Sequence, residues 1–134
     1  MKKPRYVLDS HALLAYLCDE PGADEVETLL RRVEAGEAII YLSLINLGEI
    51  AYITERRYGT ERLQEMLSAL TLLSLQVAEV TRGFVMAAAH VRVRHAVSCA
   101  DAFAIALAQE KGASVVTGDP EFKKVEHLVQ VVWL

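Results

Sequence analysis

Four carboxylates, Asp9, Glu49, Asp101 and Asp119, stand apart from the rest of the 18 acidic residues by where they fall along the chain. Asp9 directly follows the apolar run Arg5–Leu8, and Asp119 follows a second such run, Ser114–Thr117. Asp101 lies at the entrance of an apolar helical stretch, and Glu49 sits about two turns into another, among Leu47, Ile50, Ala51 and Ile53. Carboxylates sharing one cleft repel each other and raise each other's pKa values. A divalent cation removes that cost, and an all-oxygen donor set suits Mg2+ or Mn2+. The chemistry such a set implies is attack of a metal-activated water on a phosphate ester. Each residue also has a plain structural role open to it. Asp9 and Asp101 can cap helices, Asp119 before Pro120 can close a turn, and Glu49 can be a solvated helix residue.

The elements that would bring these residues together follow from the hydropathy pattern. Arg5–Leu8 suits a buried parallel strand. A helix runs from Ala12 to Cys18 and breaks at Pro21-Gly22. Val26, Leu29, Leu30 and Val33 mark an amphipathic helix that stops at Gly36. Ala38–Leu42 is a second strand, and Ser43 caps a helix reaching Tyr58-Gly59. Thr60 is expected to cap the next helix, whose apolar face is Leu63, Met66, Leu67 and Leu70. Leu72–Val77 reads as a third strand, and Thr81 opens a helix through Val93. Ser98 and Asp101 have capping-box spacing before Ala102–Ala108, which is apolar on every side and therefore belongs in a core. Gly112 ends that helix; Ser114–Thr117 and Val129–Trp133 are the last strands. Strands separated by helices require crossovers, hence a mostly parallel sheet of four to five strands covered on both faces. Ligands in such folds bind beyond the carboxyl ends of the strands, where Asp9 and Asp119 fall.

The whole chain sets further bounds. Its 134 residues fit one domain, 1–134. At 53% apolar and 24% charged it can build its own core. A net charge of −4 argues against general electrostatic binding of nucleic acid while leaving room for a local basic patch. Cys18 and Cys99 have no metal-ligand spacing and read as reduced thiols, which points to a cytoplasmic location. No run is long enough to span a membrane. Asp9-Ser10-His11 interrupts the signal-peptide-like start Lys2, Lys3, Arg5. The single asparagine, Asn46, is a weak mark of heat tolerance.

In order, the chain presents a strand followed by Asp9-Ser10, then Leu47-Gly48-Glu49-Ile50, then Ser98-Cys99-Ala100-Asp101-Ala102, then Val116-Thr117-Gly118-Asp119-Pro120-Glu121-Phe122. This series resembles the PIN-domain ribonucleases, specifically the short VapC-type toxins of type II toxin–antitoxin pairs, over essentially the whole length. The resemblance implies an α/β, PIN-like three-layer sandwich and a Mg2+- or Mn2+-dependent endoribonuclease. Asp9, Glu49, Asp101 and Asp119 would form its catalytic, metal-holding quartet, with Asp119 the more variable fourth acid, suited to a second metal. Ser10 and Thr117 match the family's supporting polar positions. The resemblance also implies an RNA substrate, cleavage leaving a 5′-phosphate and a 3′-hydroxyl, a homodimer, and a cognate antitoxin whose tail covers the cleft.

His11 stands where that family varies, and it could touch substrate or fill space at the helix start. Arg56, Arg57, Arg92 and Arg94 could contact RNA phosphates or antitoxin, or be solvated faces. His90, His95 and His127 lack metal spacing. A HAD-type phosphatase would need an aspartate where His11 stands, and the glycine positions exclude phosphate-binding nucleotide loops. The rival of a different class is a catalytically inactive PIN-like module that binds protein or RNA.

Overall fold

The computed structural model describes residues 2–134. In chain order the elements are β1 (Arg5–Leu8), α1 (Ser10–Leu17), α2 (Ala23–Glu34), β2 (Ile39–Ser43), α3 (Leu44–Tyr58) and α4 (Thr60–Thr71). Then come β3 (Gln76–Ala78), α5 (Arg82–Arg94), α6 (Cys99–Lys111), β4 (Ser114–Thr117), a 3₁₀ helix (Pro120–Val125) and β5 (Val131–Trp133). The sheet is parallel throughout, in the order β3-β2-β1-β4-β5. The chain thus runs outward from β1 to one edge, then returns to place β4 on its other side. That reversal opens a crevice at the carboxyl ends of β1 and β4.

Alternation along the strands splits the interior into two cores. Val7, Tyr41 and Val115 point into one, against Phe84, Ala88 and Val91 of α5, the buried run of α6, and Phe122 and Val125 of the 3₁₀ helix. Leu8, Ile40, Leu42 and Val116 point into the other, against α1, α2, Ile50 of α3 and Met66 of α4. The result is the expected three-layer α/β sandwich. Both faces of the central strands are covered, which is why they read as unbroken apolar runs. Within α6, Ala102–Ala108 are all buried. The helix ends at Gly112 in the left-handed region, φ 61°, a conformation glycine adopts without strain. No helix among the described residues is long and apolar enough to cross a membrane.

Three local expectations are corrected. The third strand is Gln76–Ala78 rather than Leu72–Val77, and Leu72 caps the C-terminus of α4 with 81% of its surface exposed. Gly59, not Thr60, is the N-cap of α4; the Thr60 hydroxyl donates instead to Glu55 Oε2 at 3.1 Å. The last strand begins at Val131, because the chain from Pro120 first winds into the unanticipated 3₁₀ helix.

Candidate active site

The site is built where β1 meets β4. Register pairs Leu8 with Val116, so Asp9 emerges beside Thr117. Asp9 is the N-cap of α1: its Oδ1 accepts the Ala12 N–H at 2.8 Å. Its Oδ2 accepts the Thr117 hydroxyl. Thr117, itself fully buried, accepts the Asp119 N–H at 3.0 Å through the same Oγ1. Asp119 in turn caps the 3₁₀ helix, accepting the Glu121 N–H at 3.0 Å. The capping role of Asp9 and the turn role of Asp119 are therefore both real. Neither uses up the carboxylate, since an ionised carboxylate has about four acceptor positions.

Asp101 faces this pair from the first turn of α6. Ser98 Oγ accepts its N–H at 3.1 Å, which is half of the anticipated capping box. The return bond, from the Ser98 amide to the Asp101 carboxylate, is not among the hydrogen bonds made by the described residues. Glu49, half-buried one residue before the buried Ile50, lies near enough to Asp101 to act on its charge.

Electrostatics tie the four together. Asp9, 1% exposed, is pushed up to about 7, chiefly by burial; the Thr117 and Ala12 hydrogen bonds oppose the rise, and the charges of Asp101 and Asp119 add to it. Asp101 is pushed up to about 6, first by burial and next by Asp119, with smaller contributions from Glu49 and Glu121; the Ser98 hydroxyl partly opposes them. The ion pairs among the described residues are Arg31–Glu27, Arg62–Glu65 and Lys124–Glu121, so no basic side chain neutralises the quartet.

This donor set fits a hard divalent cation in chemistry: oxygen ligands, negative charge in excess and partial desolvation. The fit is one of composition, not of finished geometry. Among the described residues no three His, Cys, Asp or Glu side chains are drawn close enough to grip an ion. The carboxylates sense one another's charge without closing into a coordination shell.

Other residues singled out from the sequence divide into near and far. Ser10 is buried and accepts a hydrogen bond at 3.0 Å from Asn46 Nδ2. His11 and Arg57 both line a cleft of about 650 Å³ together with Gly118, but none of the four carboxylates is part of its wall. Arg56 lies on the outer side of α3, donating to Tyr52 Oη at 2.6 Å. Arg92 and Arg94 are exposed in the last turn of α5, with no partner among the side-chain hydrogen bonds and ion pairs of the described residues. Cys18 and Cys99 are free thiols.

Two residues near the site went unread in the sequence as site residues. Asn46, completely buried, braces Ser10, and its Oδ1 is a buried side-chain oxygen without a partner. The one available signal was its spacing: three residues from the cap Ser43, whose Oγ accepts the Asn46 N–H, and three from Glu49, hence on one face of α3. Glu121 adds a fifth negative charge near Asp101 but is paired with Lys124.

Comparison with known proteins agrees with this architecture. No curated protein matches the chain by sequence. Among solved structures, VapBC2 from Rickettsia felis, bound to a DNA fragment from its promoter, is similar with a TM-score of 0.74 at 17% identity, covering 96% of this chain and 97% of that one. DNA-bound VapBC from Salmonella typhimurium also gives 0.74, at 18% identity over 96% and 97%. Mycobacterium tuberculosis VapC20, described as a Sarcin-Ricin loop cleaving toxin, gives 0.67 at 22% identity over 90% and 94%. At such identities the likeness is one of fold. The family model described as PIN domain matches residues 6–128, a span that includes all four carboxylates. The chain belongs to the PIN domain family.

Proposed function

We propose that this protein is a Mg2+- or Mn2+-dependent endoribonuclease of the VapC type, the toxin of a type II toxin–antitoxin pair. The observation that supports the reading is that Asp9, Asp101 and Asp119 feel one another's charge at the carboxyl rim of a PIN fold, as Asp101 and Glu49 do, with no ion pair to any of the four among the described residues. Two of these carboxylates are raised well above the ordinary range, an arrangement that costs stability unless a cation offsets the charge. The likeness in fold to chains of VapBC structures supports the toxin–antitoxin assignment.

Asp9, Glu49 and Asp101 would hold the ion directly or through water, and Asp119 would be the fourth acid, available to a second ion. When bound, the ion supplies an acidified water and offsets charge building on phosphorus. The chain's own residues do the rest. Thr117 fixes the rotamer of Asp9 and the backbone of Asp119 through one oxygen. Ser10, held by Asn46, follows Asp9 as the first residue of α1. The RNA strand would be cut to a 5′-phosphate and a 3′-hydroxyl. A cognate antitoxin would cover the rim, and a second copy would complete a homodimer, for which Val85, Met86 and Val93, exposed along α5, offer apolar surface. The site of action would be the cytoplasm.

The test is cleavage of structured RNA by the purified chain. Cutting should require Mg2+ or Mn2+, stop with EDTA, and fall by more than about 100-fold in Asp9→Asn and in Asp101→Asn, beyond the loss typical of a residue that only orients a ligand. Circular dichroism should show both variants folded. Metal-independent cutting, or full activity in both variants, would overturn the metal mechanism, and a folded parent that cuts no RNA with either ion would favour an inactive binding module.

A further inference from the structure

His11 occupies the first turn of α1, two residues after Asp9, and its ring lies against Gly118, 107 positions away. The Gly118 N–H donates to His11 Nδ1 at 3.3 Å. The approach is so close that a Cβ at Gly118 would fall 2.5 Å from His11 Cε1 and 3.1 Å from Nδ1. A residue with a Cβ at this position would require the ring to move. Gly118 sits between Thr117, whose hydroxyl bonds Asp9, and Asp119, whose N–H bonds Thr117. Three successive residues of this loop are thus tied into one network reaching the start of α1: Thr117 to Asp9, Gly118 to His11, and Asp119 back to Thr117. His11 and Gly118 also line one cleft together with Arg57.

We infer that His11 is a positioning residue: through Gly118 it holds the loop that presents Asp119 to Asp101. Removing the acceptor at the δ position frees that loop while leaving all four carboxylates in the chain. The effect on metal binding rests on the nuclease reading above; the loop contact does not.

The experiment compares His11→Asn, His11→Gln, His11→Leu and Gly118→Ala. Asparagine places its amide oxygen where Nδ1 lies, glutamine places it one bond further out, and leucine removes it. Gly118→Ala leaves His11 chemically intact and pushes its ring away. Two readouts are followed: Mn2+ dissociation constants by calorimetry, and exchange of the Gly118 and Asp119 amide protons by NMR. Expected are a Mn2+ constant weakened by about 10-fold or more in the Gln, Leu and Ala variants, with His11→Asn within about threefold of the parent. Amide exchange should accelerate by about fivefold or more in the same three variants and not in His11→Asn. Parent-like values in His11→Leu, or a His11→Asn variant as impaired as His11→Leu, would overturn the inference. A parent protein that binds no Mn2+ would sink the nuclease reading instead, and amide exchange alone would then decide on His11.

Discussion

Asp9 and Asp101 face each other across the rim, yet they are held in opposite ways. Asp9 is fastened by tertiary structure: one oxygen to the start of α1, the other to Thr117 at the end of β4, 108 residues later. Asp101 is held locally, by the cap that starts its own helix. Asp9 is inaccessible and tied to two separate elements, whereas Asp101 is half-buried and its carboxylate is steadied only by Ser98 of its own helix start. The contrast teaches that a metal-site geometry can be set by one rigid ligand while another remains adjustable. It also locates where the site's destabilising charge is concentrated, which is at Asp9.

The sharpest way to break the comparison is with pH. An unfolded Asp9 carboxyl has the ordinary aspartate value of 3.8, and burial in the fold pushes it up to about 7. Between those values the native state holds a proton that the unfolded chain has released, so stability from this group falls as pH rises from about 4 to 7 and levels off above. In metal-free buffer at pH 8, Asp9→Asn should therefore be more stable than the parent by roughly 4 kcal/mol, and most of the difference should be gone near pH 4. Urea unfolding at both pH values measures it. Asp101→Asn should shift stability in the same direction by less, since water screens its half-exposed carboxylate. Saturating Mn2+ should reverse the order at pH 8, because only the parent gains from the ion. Equal effects for the two variants would erase the distinction drawn here.

A smaller effect is expected at the shared hydroxyl. Thr117→Val keeps the shape but removes the donor to Asp9 and the acceptor for the Asp119 amide. It should cost about 2 kcal/mol in urea unfolding and weaken Mn2+ binding by about 10-fold or more. The smallest effect belongs to the local side: Ser98→Ala removes a cap and should cost about 1 kcal/mol. If Ser98→Ala proved as damaging as Thr117→Val, Asp101 would be as dependent on its setting as Asp9.

How much of this could be read from residues alone follows the same division. Local signals were legible. The apolar runs of β1 and β4, the all-apolar α6, its Ser98 cap and its Gly112 stop all stand where periodicity and capping chemistry put them. The carboxylates at strand ends were legible because a parallel sheet has a single carboxyl rim. Long-range polar contacts were not. Nothing in the spacing of His11 and Gly118 announces that they touch, and Asn46 looks like any helix residue until Ser10 arrives against it. β3 was misplaced because an edge strand of three residues carries almost no pattern, while the leucines before it finish α4. The 3₁₀ helix was missed because Pro120, which ends a strand, is equally suited to begin a helix.

The central position of β1 has a consequence for how the molecule comes into being. β1 is synthesised before every other strand of this sheet yet needs neighbours on both sides, and β4 supplies the second of them more than a hundred residues later. Loop closure over such a span is entropically costly and slow, and cannot begin before the distant segment exists. An emerging chain therefore carries Asp9 for most of its synthesis without Thr117 or Asp119 to meet it. The carboxylate rim is among the last features to assemble, so the growing polypeptide spends its time on the ribosome without a completed site.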